Sequence, residues 1–124
     1  MILRPRVLVV EDDPLALMML TLELQAEGFE AEGAETAQEA QDLLGRAWDA
    51  LVCDLDFRDG SDGYRLARDA RASHPAIGVI YTSGVAHADF DARKVPGAKL
   101  APKPFIPEEI ARSLRCLLDG GPQP

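Results

Sequence analysis

Apolar and polar positions along the chain form two alternating patterns. Residues 7–10 are an unbroken apolar, β-branched run, typical of a strand covered on both faces, and the run ends at three acidic residues. Asp13 then suits a helix N-cap and Pro14 the first helical turn. Apolar residues recur at helical spacing until Gly28, namely Leu15, Met18, Met19 and Leu22. The first segment is therefore a strand that leads directly into a helix.

The same alternation continues to the end of the chain. It predicts further strands at 29–34, 50–54, 77–83 and 98–101, and helices at 36–47, 64–73, 86–94 and 107–118. Thr36 and Glu39 have the spacing of a capping box at the start of the second helix. Short connections between strands and helices favour right-handed crossovers, which place helices on both faces of a parallel sheet. We therefore predict an α/β fold with a three-layer, doubly wound, five-stranded parallel sheet.

Length and composition limit the possible organisation. With 124 residues, of which 47% are apolar and spread along the chain, there is room for one domain with a proper core and for no second output domain. We assign residues 1–120 to this domain and residues 121–124 to a frayed tail. A formal charge of −8 would repel phosphate backbones, so we do not expect nucleic acid as a partner.

Neither a membrane span nor a secretion signal is predicted. The longest apolar stretch, 15–22, is far shorter than the ~20 residues that a bilayer requires. The N-terminus has no signal-peptide cleavage pattern, so we expect a cytoplasmic protein. Cys53 and Cys116 fall in apolar runs and are interpreted as buried thiols rather than as a disulfide.

Reactive side chains lie where four of the predicted strands end. In chain order they are Glu11, Asp12 and Asp13 after the first strand, Asp54 and Asp56 at the third, Thr82 and Ser83 at the fourth, and Lys103 after the fifth. Ligands of doubly wound sheets bind at this carboxyl edge. Crowded carboxylates need a hard cation such as magnesium to remain ionised together. A lysine and a hydroxyl beside an acidic nucleophile suit phosphoryl transfer, because positioning and charge neutralisation do most of that catalysis.

Four short motifs, in this order and spacing, resemble the response regulator receiver domains of two-component signalling. They are Val7-Leu-Val-Val-Glu-Asp-Asp13, Val52-Cys-Asp54-Leu, Ser83-Gly84 and Lys103-Pro-Phe105. The resemblance spans nearly the whole chain and implies a flavodoxin-like strand order 2-1-3-4-5. It also implies a regulatory domain rather than a turnover enzyme, one that assists its own phosphoryl transfer and dephosphorylation.

The resemblance implies a role for each matching acid. Asp54 would be the phosphoacceptor, Asp12 a direct ligand of Mg²⁺, and Glu11 a metal-site acid that acts mainly through water. Asp56 would supply its backbone carbonyl to the same ion. Asp13 is explained as a helix N-cap and is assigned no ligand role.

Other matching positions would act on the phosphoryl group. Ser83 would bond a phosphoryl oxygen, with Thr82 as the alternative if the register is displaced by one residue. Gly84 would leave the site open, and Lys103 would pair with the phosphoryl charge. The resemblance further implies a cis bond between Lys103 and Pro104.

The implied partners are proteins. A histidine kinase or histidine phosphotransfer protein would donate the phosphoryl group, and a downstream protein target would read the phosphorylated state. His74 and His87 flank loops, are most simply solvent-exposed, and are not predicted to be phosphodonors. The chain would be a monomer or a weak homodimer through the face formed by helix 4, strand 5 and helix 5.

The chain departs from the family pattern at three positions. Arg58 stands where proline is common, Gly63 comes one residue later than the usual glycine, and Leu100 replaces an aromatic residue that commonly moves inward on phosphorylation. We hypothesise that the atypical loop 57–63 is mobile and alters partner choice or phosphoryl lifetime.

Two alternative functions remain open at this point. A pseudo-receiver would keep the fold as an adaptor without being phosphorylated, although the intact acids, Ser83 and Lys103 speak against it. A haloacid-dehalogenase-like phosphatase also uses an Asp-x-Asp pair with magnesium, but on its first strand rather than its third. A calcium loop beginning at Asp54 is rejected because Arg58 and Asp59 occupy its fifth and sixth positions.

Overall fold

Five parallel strands form one sheet in the order β2-β1-β3-β4-β5 in the computed structural model, which describes residues 4–119. The strands are β1 (Arg6–Val10), β2 (Glu30–Ala34), β3 (Ala50–Asp54), β4 (Gly78–Ser83) and β5 (Lys99–Pro102). The helices are α1 (Pro14–Ala26), α2 (Ala37–Leu43), α3 (Gly63–Ser73), α4 (Phe90–Arg93) and α5 (Pro107–Leu118). The predicted α/β class and strand order are confirmed. The tail predicted at 121–124 lies outside the described residues.

Each face of the sheet has its own apolar core, which accounts for the unbroken apolar strands. Val7 and Val9 of β1 pack with side chains of α1 and α5 on one face. Leu8 and Val10 pack with side chains of α2 and α3 on the other. Successive residues of a strand point to opposite faces, so a strand between two helical layers needs apolar residues at every position.

The apolar spacing noted in α1 lies on the solvent face of the helix. Leu17, Leu20 and Leu24 are the α1 residues buried on the sheet. The residues that carried the spacing form an exposed patch, here named the α1 apolar face: Leu15 (60% exposed), Met18 (50%), Met19 (53%) and Leu22 (56%). Because α1 is apolar around most of its circumference, spacing alone cannot select the buried side.

The second helix is shorter than predicted and its cap differs in part. α2 ends at Leu43, whose carbonyl accepts a hydrogen bond from the indole N–H of Trp48 at 2.7 Å. That side chain satisfies a carbonyl which a longer helix would have used. At the other end, the Glu39 N–H donates to Thr36 Oγ1 at 3.0 Å as a capping box requires. The Glu39 carboxylate, however, accepts from the residue before Thr36.

The fourth helix is a single turn, Phe90–Arg93, and begins later than predicted. Side chains hold the preceding residues in a non-helical turn. The Gly84 N–H donates to Asp56 Oδ2 at 2.9 Å, and the Val85 N–H donates to Ser83 Oγ at 3.1 Å. These bonds fix the turn after β4, and the Phe90 N–H donates to the His87 carbonyl three residues back at 3.1 Å, so the α-helix begins at Phe90.

Within residues 4–119, no helix is long and apolar enough to cross a bilayer. Cys53 is buried in β3 as predicted, and burial raises the pKa of its thiol. Cys116 in α5 is only partly buried, so the prediction of a buried thiol is wrong for this residue.

Candidate functional site

Three carboxylates converge at the carboxyl edge of the sheet. Glu11 and Asp12 follow β1, and Asp54 ends the adjacent strand β3. One oxygen atom from each of the three lies within 4.8 Å of the others. Glu11 and Asp54 are buried, whereas Asp12 is partly exposed. The parallel pairing of β1 with β3 is what places these acids, which are far apart in sequence, beside one another.

Lys103 supplies a positive charge to this cluster. Its Nζ donates to Glu11 Oε1 at 2.9 Å and to Asp54 Oδ2 at 3.1 Å. Its main-chain N–H donates to the Ser83 carbonyl at 2.7 Å, which ties the segment after β5 to the end of β4. The Lys103–Pro104 peptide bond is cis, as predicted. One ammonium group thus bridges two buried carboxylates.

The surroundings of Glu11 and Lys103 raise the pKa of each side chain. Burial raises the pKa of Glu11, and although the Lys103 ammonium opposes this, the nearby Asp54 adds to it, so the pKa is raised overall. Burial lowers the pKa of Lys103, but its hydrogen bonds and the charges of Glu11 and Asp54 outweigh that effect, and its pKa is raised. Lys103 therefore remains charged at neutral pH.

Arg58 contacts the site, and sequence reasoning missed this role. Its main-chain N–H donates to Asp12 Oδ2 at 2.8 Å, and its guanidinium lies 3.4 Å from the same oxygen. A second guanidinium nitrogen donates to the Asp12 carbonyl at 3.2 Å. Burial raises the pKa of Asp12, but the bonds and charge of Arg58 more than offset it, so the pKa is lowered. In the sequence, Arg58 is a departure from the family pattern and excludes a calcium loop, but neither observation indicates a contact with Asp12.

Asp56 is linked to Asp54 through its main chain and to β4 through its side chain. Its N–H donates to Asp54 Oδ1 at 2.8 Å. Its carboxylate is not part of the acidic cluster and instead accepts from Ser83 Oγ at 2.7 Å and the Gly84 N–H at 2.9 Å. Burial raises the pKa of Asp56, but these bonds and that of His87 outweigh it, so the pKa is lowered. The metal role implied for Asp56 concerned its carbonyl and stays a prediction.

Of the two candidate hydroxyl groups, that of Ser83 is the one bonded to the Asp56 carboxylate. Thr82 pairs with Asp54 in the β3–β4 register, and its carbonyl accepts from the Leu55 N–H at 2.9 Å. Both threonine and serine are buried. The contacts of the Ser83 side chain favour it over Thr82 for a role at the site.

The prediction that both histidines are solvent-exposed is wrong. The His87 side chain is 19% exposed, and its Nε2 lies 3.0 Å from both Asp56 Oδ1 and Ser83 Oγ. His74 is partly exposed, and its Nε2 lies 2.9 Å from the Leu44 carbonyl. The sequence shows a histidine four residues after Ser83, which could have suggested a site residue. Only the turn after β4 directs the His87 side chain toward Asp56 and Ser83.

Gly63 allows the start of α3 to approach the end of β3. A Cβ atom at this position would lie 2.5 Å from the Asp54 carbonyl oxygen and 3.2 Å from Cys53 Sγ. Real Cβ atoms do not approach a carbonyl so closely, so only glycine fits without a shift of the backbone. The glycine that comes one residue late in the sequence therefore packs directly against the end of β3.

Comparison with known proteins agrees with this geometry. The family model for the response regulator receiver domain matches residues 7–115. The chain belongs to the response regulator receiver family. A response regulator receiver protein from Sinorhizobium medicae WSM419 superposes on this receiver domain with a TM-score of 0.87 at 27% identity, covering 94% of this chain and 95% of that one.

Among further similar proteins are a much longer sensor kinase and a response regulator of similar length. Sensor kinase CckA of Brucella abortus (strain 2308) is 34% identical over 119 residues, which are 91% of this chain and 12% of CckA. The chain spans 49–52% of the length of three further curated relatives that it matches. Response regulator TrrA of Thermotoga maritima, whose structure is a complex with Mg(2+)-BeF, has a TM-score of 0.79 at 28% identity, with 92% of this chain and 99% of TrrA covered.

The acidic cluster fits a magnesium ion. Magnesium prefers oxygen ligands, and bonds of about 2.1 Å place opposite ligands about 4.2 Å apart. The oxygens of Glu11, Asp12 and Asp54 lie within 4.8 Å of one another, so small side-chain movements suffice to surround such an ion. The donor set, three carboxylates without sulfur or imidazole, is that of a hard cation.

Proposed function

We propose that this receiver domain accepts a phosphoryl group on Asp54 from a histidine kinase or histidine phosphotransfer protein and signals by contact with a downstream protein. One observation carries the proposal: Lys103 Nζ binds Asp54 and Glu11 at 3.1 and 2.9 Å, with Asp12 in the same cluster. A carboxylate held beside a fixed ammonium group can accept a phosphoryl group whose added charge is already compensated.

Each polar neighbour of Asp54 has a task in this transfer. A carboxylate oxygen of Asp54 attacks the phosphorus, an O–P bond forms, and the P–N bond to the donor imidazole breaks as that nitrogen takes up a proton. The Asp56 N–H orients Asp54 Oδ1, and Lys103 pairs with the negative charge that moves to the phosphoryl oxygens. Ser83 bonds a phosphoryl oxygen in the product.

We further propose magnesium as the cofactor. Asp12 and Asp54 would bind it directly, Glu11 mainly through water, and Asp56 through its carbonyl. When bound, the ion would neutralise charge on the transferring phosphoryl group. The compact set of three carboxylate oxygens supports this assignment, as does the Mg(2+)-BeF complex of TrrA.

The α1 apolar face supports a protein as the phosphodonor. A cleft of about 310 Å³ lies between α1 and the segment after β5, and Met19, Lys103 and Phe105 are among its lining residues. A protein that covers the α1 apolar face therefore lies beside Lys103 and the acids. Burial of these exposed side chains would supply binding energy at the entrance to the site.

The domain is proposed to be a switch rather than a turnover enzyme, and phosphorylation of purified protein tests this. The wild-type chain would be incubated with Mg²⁺ and an acyl phosphate, and intact mass would be measured together with Asp54→Asn and, as a matched control, Asp59→Asn on the exposed loop. A single stable phosphoryl adduct in wild type and Asp59→Asn, absent in Asp54→Asn, is the expected result.

Other outcomes of this experiment would contradict the proposal. No adduct in a folded wild-type chain favours the pseudo-receiver adaptor, in which the acids are structural only. Rapid release of phosphate from many phosphoesters, without an adduct that persists, favours the phosphatase. An adduct that persists in Asp54→Asn would place the phosphoryl group on another residue.

A substitution on α1 tests the protein donor. The donor in this test is a histidine kinase that phosphorylates the wild-type chain. Met18→Glu should lower the rate of this phosphorylation by about tenfold or more, because a charge then enters an apolar interface. Labelling by an acyl phosphate should not change. Leu100→Glu, an exposed apolar position on β5, is the control. Equal kinase rates for Met18→Glu and wild type would remove the α1 apolar face from the proposal.

The cytoplasmic location and the weak homodimer stay predictions from sequence.

A further inference from the structure

Side-chain and main-chain groups at the ends of β3 and β4 form a closed hydrogen-bonded unit near Asp54. Asp56 accepts from Ser83 Oγ, the Gly84 N–H and His87 Nε2 at 2.7, 2.9 and 3.0 Å. His87 Nε2 also lies 3.0 Å from Ser83 Oγ. We name Asp56, Ser83, Gly84 and His87 the Ser83 clamp. Ser83 is buried and the His87 side chain is 19% exposed, so the bonds between the side chains are partly shielded from solvent, whereas the bond from the Gly84 N–H is exposed.

Chemistry determines which atoms donate within the clamp. A carboxylate only accepts, so the His87 Nε2 that faces Asp56 Oδ1 carries a hydrogen and donates. The Ser83 hydroxyl has one hydrogen, which points to Asp56 Oδ2 at 2.7 Å or to the Val85 carbonyl at 2.8 Å. Its oxygen faces the Val85 N–H and His87. The hydroxyl is therefore fully engaged and has no hydrogen left for a phosphoryl oxygen.

From this geometry we propose that His87 is a positioning residue that holds Ser83 and the turn after β4 in the unphosphorylated arrangement, in competition with a phosphoryl group on Asp54. The inference rests on the proposed function, since it assumes that Asp54 is phosphorylated. The Asp56 N–H donates to Asp54 Oδ1 at 2.8 Å, so the clamp adjoins the reacting carboxylate. The acyl phosphate carries roughly −1.5 to −2 charges where the Asp54 carboxylate carried one, so the negative charge near the Asp56 carboxylate rises, and the phosphoryl oxygens offer Ser83 a second charged acceptor.

His87 also connects the clamp to α4. Its ring packs against the ring of Tyr64 with centroids 6.1 Å apart in an edge-on arrangement. The Tyr64 ring in turn packs against Tyr81 at 5.3 Å and Phe90, the first residue of α4, at 6.3 Å. The guanidinium of Arg93 at the end of α4 lies 4.3 Å above the Tyr64 ring. Release of His87 therefore changes the packing of α4.

This path offers an alternative to the aromatic residue that Leu100 replaces. Leu100 on β5 is an exposed aliphatic residue and has no aromatic ring to move between two packed positions. His87, by contrast, is bonded to the site on one side and packed against Tyr64 on the other. The state of Asp54 is transmitted through the Ser83 clamp to the β4–α4 turn.

Two substitutions separate the hydrogen bonds of His87 from its packing. His87→Phe keeps a ring against Tyr64 but lacks the donor, whereas His87→Gln keeps an N–H donor without the ring. His87→Leu, a second variant without a donor, replaces His87→Phe if that chain does not fold. The measurements are the Gly84 and Val85 amide shifts by NMR, with and without phosphorylation, and the rate at which an acyl phosphate labels Asp54 in Mg²⁺.

The donor-free variant should resemble the phosphorylated wild type before it is phosphorylated. We expect its Gly84 and Val85 amide shifts to move toward the phosphorylated positions, and its labelling rate to rise about threefold to tenfold, the factor for one lost hydrogen bond. His87→Gln should stay close to wild type in both measurements, which a purely structural role of the ring does not predict. A wild-type chain that takes no label overturns the proposed function and this inference with it. Labelling of wild type, with equal shifts and rates for His87→Phe and His87→Gln, overturns the inference alone.

Discussion

Removal of the Lys103 charge should destabilise the metal-free domain, and magnesium should restore much of the loss. Lys103→Met keeps an apolar stem but removes the ammonium that lies 2.9 Å from Glu11 and 3.1 Å from Asp54. The Asp54 and Glu11 side chains are only 2% and 8% exposed, so the variant leaves two carboxylates close together with little water around them. Folding would then have to protonate one of them or separate them.

The size of the effect follows from burial. Breaking a buried ion pair by removing one partner costs about 3–5 kcal/mol. The Lys103 side chain is 33% exposed, so solvent screens part of its attraction, and we take about 3 kcal/mol as the expected loss. With an m-value of roughly 2 kcal/mol/M, the urea midpoint falls by about 1.5 M.

Urea unfolding in EDTA and in excess Mg²⁺ measures both parts of this prediction. The matched control is Lys99→Met, which removes a lysine of β5 outside the acidic cluster. A cation that binds only the folded state adds about 2.7 kcal/mol at a hundred times its dissociation constant, and this gain should be larger for Lys103→Met than for wild type. The reasoning is refuted if Lys103→Met and Lys99→Met unfold at the same urea concentration in EDTA, because the two buried carboxylates would then need no ammonium group.

Two further predictions concern the neighbours of the site. Arg58→Ala should raise Mg²⁺ affinity by about twofold to fivefold in calorimetric titration, since the guanidinium no longer competes for the Asp12 carboxylate, and an unchanged affinity would count against that competition. Gly63→Ala should lower the free energy of unfolding by about 1–3 kcal/mol, because the added Cβ meets the Asp54 carbonyl at 2.5 Å. Gly45→Ala, where a Cβ meets nothing within 4 Å, should cost far less, and equal losses for the two variants would contradict the steric argument.

Much of the fold could be predicted from the sequence because its three central strands, β1, β3 and β4, are short and mostly apolar. β3 and α5 begin and end where the patterns placed them, and the acids, Ser83 and Lys103 were recognisable because they stand where strands end. Strand periodicity and the position of strand ends are local properties of the chain. They suffice to predict which residues reach the carboxyl edge of the sheet.

Contacts between distant segments required the tertiary structure. Local spacing did not show that Arg58 binds Asp12, since the two are joined only by the folding of the β3–α3 loop over the end of β1. It placed His87 in solvent, whereas the turn after β4 directs it to Asp56.

The buried side of α1 was also decided by tertiary packing. Both sides of that helix are apolar, so the sequence alone offers two candidate faces, and contact with the sheet selects Leu17, Leu20 and Leu24. Sequence by itself thus determined the family, the strand order and the chemical groups of the site. Packing of segments far apart in the chain determined which of these groups touch, because side-chain contacts depend on distances that only the folded chain defines.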